Sequence, residues 1–151
     1  MSQSAQIITL AQWTRGTSWR LELPHSTSAH ALIWVTRGQA RATVEGLRRG
    51  VGAHNALAVP AGALFSLGGA CYGQVCLIPA GGPALMPDTP QHLRIREVQA
   101  QAELTGMLDA MQRESRDARP FHDEALSAQA ALITVWLRRA MIAHESTTRP
   151  T

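Results

Sequence analysis

The stretch VPAGALFSL, residues 59–67, decides how the first half of the chain is read. Val59 closes an apolar run that begins at Ala56. Pro60 and Gly62 then form a Pro-x-Gly turn signal, in which proline presets φ and glycine accepts a positive one. ALFSL (63–67) opens the next apolar run. Short apolar runs hinged on such a signal predict strands. Working outward, SWRLELP (18–24), HALIWVTRG (30–38), ARATVEG (40–46), NALAVPAG (55–62) and YGQVCLIPAGG (72–82) carry the same signature, punctuated by glycines at 38, 46, 50, 52, 62, 68 and 69. In ARATVEG, Ala40, Ala42 and Val44 alternate with Arg41, Thr43 and Glu45, the period of a half-buried strand. GLRRGVGAHN (46–55) has glycines but no strand–loop–helix context, so it reads as a hairpin. Short strands at regular spacing point to a sandwich or barrel.

Beyond about residue 93 the period changes. LRIREVQAQAELTGMLDAMQRES places Ile95, Val98 and Ala102 on one helical stripe and Leu104, Met107, Leu108 and Met111 on another. Gly106 inside this helix is expected to mark close packing. Pro120 breaks the pattern. HDEALSAQAALITVWLRRAMIAHE then starts with acids and carries Arg138 and Arg139 late, matching a helix dipole. Leu126, Ala130, Ile133, Leu137 and Met141 form one apolar face; Ala125, Ala128, Leu132, Val135, Trp136 and Ile142 cover much of another. A surface helix needs one such stripe. The surplus predicts a homodimer through the C-terminal helices, with Leu126, Ala130, Ile133, Trp136, Leu137 and Met141 as its interface. The organisation expected is an N-terminal arm (1–17), a β-barrel (18–90), a two-helix segment (91–146) and a tail (147–151).

Length and composition narrow the function. A chain of 151 residues suits one domain, and 45% apolar residues suit an ordinary core. No run is long enough for a membrane span, and the start does not resemble a signal peptide, so a cytoplasmic location is expected. The net charge is +3, and all 14 basic residues are arginine. They are dispersed, with adjacent pairs at Arg48-Arg49 and Arg138-Arg139, which argues against direct DNA binding by this segment. Cys71 and Cys76 lie five apart on one predicted strand and so face opposite ways, which disfavours a disulfide. Hydrolase elbows, phosphate-binding loops and zincin motifs are absent from the sequence.

IWVTRGQA (33–40), NALAVPAG (55–62) and LRRAMIAHES (137–146) together resemble the N-terminal ligand-sensing and dimerisation domain of AraC-type transcription regulators, a branch of the cupin fold. The resemblance implies a mostly β fold with C-terminal helices: a cupin-like (jelly-roll) β-barrel followed by an antiparallel helical hairpin. It also implies a small organic effector and a helix-turn-helix DNA-binding domain absent from this chain. Metal-holding cupins carry a His-x-His, a glutamate shortly after, and a further histidine following the Pro-x-Gly turn. In register with Gly38 these positions fall on His25, Thr27, Ala31 and Phe65, so one ligand of the set survives. A catalytic divalent ion needs about three protein ligands. No metal, cofactor or catalytic residue is therefore expected.

With position 31 facing inward, alternation directs Ile33, Val35 and Arg37 into the barrel. The resemblance makes Arg37 a ligand contact, with solvation or pairing to Glu22 or Glu45 as the plainer possibility. The expected lining is His25, Ile33, Phe65, Leu67 and Val75, with Trp13 as a lid on the N-terminal arm or as simple edge packing. This lining suits an organic acid or aromatic compound better than a sugar. Trp34 is expected beneath the helices and Trp136 in the dimer core. His54, His92, His122 and His144 are expected to be solvated or capping. Two alternatives remain: a stand-alone non-catalytic cupin binding protein, and a cupin enzyme.

Overall fold

The computed structural model describes residues 5–13, 28–82 and 84–148, with side chains of the last helix described as far as His144. The predicted strand at 18–24, and with it His25, lies outside the described residues. Among the described residues six strands form one antiparallel sheet: β1 (Gln6–Thr9), β2 (Ala29–Val44), β3 (Leu47–Gly52), β4 (Asn55–Val59), β5 (Phe65–Pro79) and β6 (Gln91–Arg94). Two helices follow, α1 (Val98–Asp117) and α2 (His122–Thr148). The sheet order is β1-β5-β2-β4-β6, with β3 also paired to β2.

β2 organises the sheet. One of its edges pairs with β5 from Ala29–Pro79 to Val44–Phe65. Its other edge is divided, Ala31–Val35 pairing with β4 and Gln39–Val44 with β3. The runs HALIWVTRG and ARATVEG, expected as two strands, are therefore one. So are ALFSL and YGQVCLIPAGG, which merge into β5. The join in β2 is a bulge between Val35 and Arg37. Gly38 beside it has φ +90°, and a Cβ there would stand 2.4 Å from the Ala70 carbonyl oxygen. Only glycine admits β5 so close in that conformation. Glu45 and Gly46, both at positive φ, close the β2–β3 hairpin as a two-residue turn.

The bulge divides the parity of β2. Ahead of it Ala31, Ile33 and Val35 face one side; beyond it Ala40, Ala42 and Val44 do. These six join Leu57, Val59, Phe65, Leu67 and Val75 in a core on the helix-free side. The N-terminal segment enters this core through Leu10 and Trp13, carried on a helical turn at 10–13 that follows β1. β1 itself pairs with β5, so the stretch expected as an arm contributes a strand.

On the opposite side Leu32, Trp34, Ala56, Ala58, Cys76, Ile78 and Leu93 meet the helices. α1 supplies Leu104, Leu108 and Met111; α2 supplies Leu126, Ala130, Ile133, Trp136 and Leu137. The Trp34 indole packs edge-on to Trp136, centroids 6.3 Å apart, and donates to Thr105 Oγ1 at 3.2 Å. Trp34 thus lies beneath the helices, as its alternation with Ile33 requires. Cys76 faces the helices and Cys71 the other core, both as free thiols. Burial pushes the Cys76 thiol up to about 12.

Three expectations for the helical half are corrected. LRI is not helical, because Gln91–Arg94 pairs with β4 and the helix begins only at Val98. Val98 and Ala102 are exposed and do not form a core stripe with Ile95. Gly106 is also exposed, with nothing near its missing Cβ, so no close packing accounts for it. The helix break falls where Pro120 places it. Ala118 takes a left-handed conformation and its N–H returns to the Glu114 carbonyl. Arg119 pairs with the buried Glu114 carboxylate at 3.1 Å, holding the turn.

Candidate functional site

The structure gathers Ile33, Phe65, Leu67, Val75 and Trp13 in one cluster on the helix-free side. Trp13 stacks on Phe65 with centroids 6.1 Å apart and planes 15° from parallel. Ile33, Phe65, Leu67, Val75 and Leu10 are buried, and they pack against one another. The side chains that meet here are apolar, so the cluster can exclude water but offers a ligand little to hydrogen-bond.

Arg37 is not among them. The bulge interrupts the alternation that would have carried it inward, and its side chain is exposed. Its guanidinium lies 4.7 Å from the centroid of the Tyr72 ring, with Thr36 Oγ1 donating to the Tyr72 carbonyl at 3.2 Å. Its described partner is thus an aromatic ring and not Glu45, while Glu22 lies outside the described residues. His30 accepts the Ala61 N–H through Nδ1 at 3.0 Å. That bond ties the Pro-x-Gly turn to β2. Among the described residues no three His, Cys, Asp or Glu side chains converge as a metal set.

The expected dimer face is also displaced. Leu126, Ala130, Ile133, Trp136 and Leu137 are buried against the sheet and α1, and Met141 packs at their edge. They form the contact within one chain. The other apolar face is the uncovered one. Phe121 is 79% exposed, Leu132 57% and Ile142 65%. Phe121 also holds a positive φ, a strained backbone state for an aromatic residue. Ala125, Ala128, Leu132, Val135, Arg139 and Ile142 recur every three or four residues along one line of α2, with Phe121 in the turn just ahead of its first residue.

A groove of about 700 Å³ opens beside this line, between α1, α2 and the end of β6. Its floor is apolar, with Ile95, Ala100, Met107, Trp136 and Ala140. Trp136 Nε1 donates to the Ala100 carbonyl at 3.2 Å, which fixes the indole. Arg94 and Arg96 from the β6 end of the chain, Arg139 and His144 of α2, and Glu97 and Glu103 at the start of α1 also line the groove. Sequence reading missed this site, because its walls come from segments that share no periodic signal.

Between the paired strands β4 and β6, Asn55 Oδ1 and His92 Nε2 are 2.6 Å apart, and Asn55 Nδ2 donates to the Ala53 carbonyl. His92 is half-buried, not solvated as expected. Burial lowers its pKa from 6.5, and the charges of Arg49, Arg94 and His144 lower it further. Arg49 Nε is buried without a hydrogen-bond partner among the described residues.

No protein-family model and no curated protein matches the chain. A solved structure of a Streptomyces PAC13 variant with uridine aligns with 64% of this chain and 74% of its own, at 16% identity and a TM-score of 0.39. No described helix is long and apolar enough to cross a membrane.

Proposed function

We propose that this chain is the sensing and dimerisation module of a regulator of the AraC type, built on a cupin-like barrel and without catalytic activity. The single observation that carries the reading is the exposed line on α2. An antiparallel two-fold axis between Ala131 and Leu132 sets Phe121 against Ile142 of a second copy. It sets Ala128 against Val135 and Glu124 against Arg139. Apolar residues meet apolar residues and the acid meets the base, so the face complements itself, as an isologous interface must. Each exposed large side chain, once buried, contributes about 1.5–3 kcal/mol. Together they outweigh the lower part of the roughly 4–15 kcal/mol that association costs, which favours a dimer.

The predicted homodimer through the C-terminal helices is kept, with Phe121, Leu132, Val135 and Ile142 in place of the inward face. The well-filled helix-free core supports a scaffold role over catalysis. DNA contact, in this reading, belongs to a separate helix-turn-helix domain, and the chain works in the cytoplasm. Light scattering after size exclusion tests it. The wild type should run as a dimer at tens of micromolar and Leu132→Glu as a folded monomer. A wild-type monomer at that concentration overturns the proposal.

A further inference from the structure

We infer that the effector site is the groove between α1 and α2, not the barrel lumen, and that it takes an amphipathic organic anion. The inference rests on the sensing role proposed above. Among the described residues the lumen side is filled by apolar side chains: Phe65 is 1% exposed and stacked by Trp13, and the lumen candidate Arg37 points away. The groove has what the lumen lacks. Its volume of about 700 Å³ falls in the range of small-molecule sites. The Trp136 ring, held by its bond to Ala100, gives a flat apolar wall for an aromatic or branched aliphatic body.

Charge sets the other end. Arg94, Arg96 and Arg139 line the groove, and none of the three makes an ion pair or side-chain hydrogen bond among the described residues. Against these three guanidiniums stand two carboxylates, Glu97 and Glu103, both beside α1. An anionic head is therefore directed toward the β6 and α2 end and away from α1. Guanidinium forks suit carboxylate, sulfonate and phosphate oxygens alike. Leu132 and Arg139 belong both to the groove and to the α2 line, so a bound molecule would touch the surface that a second copy covers. Occupancy and dimerisation are then thermodynamically linked.

The test uses 8-anilinonaphthalene-1-sulfonate as the anionic probe and N-phenyl-1-naphthylamine as its uncharged counterpart, both followed by fluorescence titration. Saturable binding at one site per chain is expected for the sulfonate. Arg94→Gln combined with Arg139→Gln should weaken it at least roughly tenfold, since each charge-assisted bond is worth about 1.5–3 kcal/mol. The same pair should leave the neutral probe nearly unchanged, and Ala143→Trp, which fills the groove, should weaken both. Phe121→Glu with Ile142→Glu lies outside the groove lining, so it should abolish the dimer yet retain saturable sulfonate binding, its affinity shifted only by the linkage. Loss of the dimer prediction is thereby separated from loss of this one. Absent saturable binding, or sulfonate affinity that ignores both the arginine and the Ala143 variants while their circular dichroism is native, overturns the inference.

Discussion

Replacing Gly38 with alanine tests the bulge that divides β2. Two costs add at this position. The first is conformational, because φ is +90°, and holding a side chain in such a region costs of order 1–3 kcal/mol. The second is steric. The new Cβ would lie 2.4 Å from the Ala70 carbonyl oxygen and 2.9 Å from the Cys71 Cα, both backbone atoms of the paired strand. Neither can rotate away, so β5 must move, at a further cost of about 1–3 kcal/mol. Gly46→Ala is the matched control. Its φ is +81°, yet nothing lies within 4 Å of its missing Cβ, so only the conformational cost applies. Urea denaturation followed by circular dichroism should place Gly38→Ala about 2–6 kcal/mol below the wild type, and below Gly46→Ala by the steric share. Equal losses at the two sites would refute the close approach of β5 as the reason for glycine at position 38.

Two further perturbations probe the cores. Phe65→Ala removes a buried ring stacked on Trp13 and should cost about 3–5 kcal/mol in the same assay; a loss below about 1 kcal/mol would mean that Phe65 walls an open pocket. His92 gives a pH signature. Its folded pKa lies below 6.5, so the unfolded chain binds the proton more readily, and stability should fall as pH drops through 6.5 toward the lower folded value. The groups beside it, Arg49, Arg94 and His144, add cationic charge and keep that sign. His92→Gln should flatten this slope in melts between pH 7.5 and pH 5, about the unperturbed histidine range; an unchanged slope would assign it to another group.

The strands were legible wherever alternation ran unbroken. ARATV sorted itself correctly, and Ile33, Phe65, Leu67 and Val75 meet in one core because each sits on a regular stretch. The extrapolation failed at Arg37 because one extra residue in β2 reverses the faces, and Gly38 was its only trace in the sequence. On α2 the two apolar faces were both legible, but not which one the sheet would claim. Trp136 decides it, because its indole reaches both Trp34 and the Ala100 carbonyl. The groove was invisible for a different reason. Arg94 and Arg96 lie at the end of a strand, Glu97 and Glu103 at the start of one helix, and Arg139 late in another. Their meeting is a product of tertiary packing, to which helix and strand periods are blind. His92 was misread likewise, since the Asn55 side-chain oxygen it meets belongs to the neighbouring strand.

Disulfide trapping tests the central claim most directly: that the exposed line of α2 pairs with its own copy about an axis between Ala131 and Leu132. Ala128→Cys and Val135→Cys are combined in a chain carrying Cys71→Ser and Cys76→Ala. The two-fold register brings position 128 of one copy to position 135 of the other, within disulfide reach. With Ala128→Cys alone, the new thiol would face its own copy roughly 10 Å along the helix axis and could not close the bond. Mild oxidation should therefore give a covalent dimer from the double variant and none from Ala128→Cys alone. A double variant that stays monomeric, or a single variant that cross-links as well, would contradict the pairing.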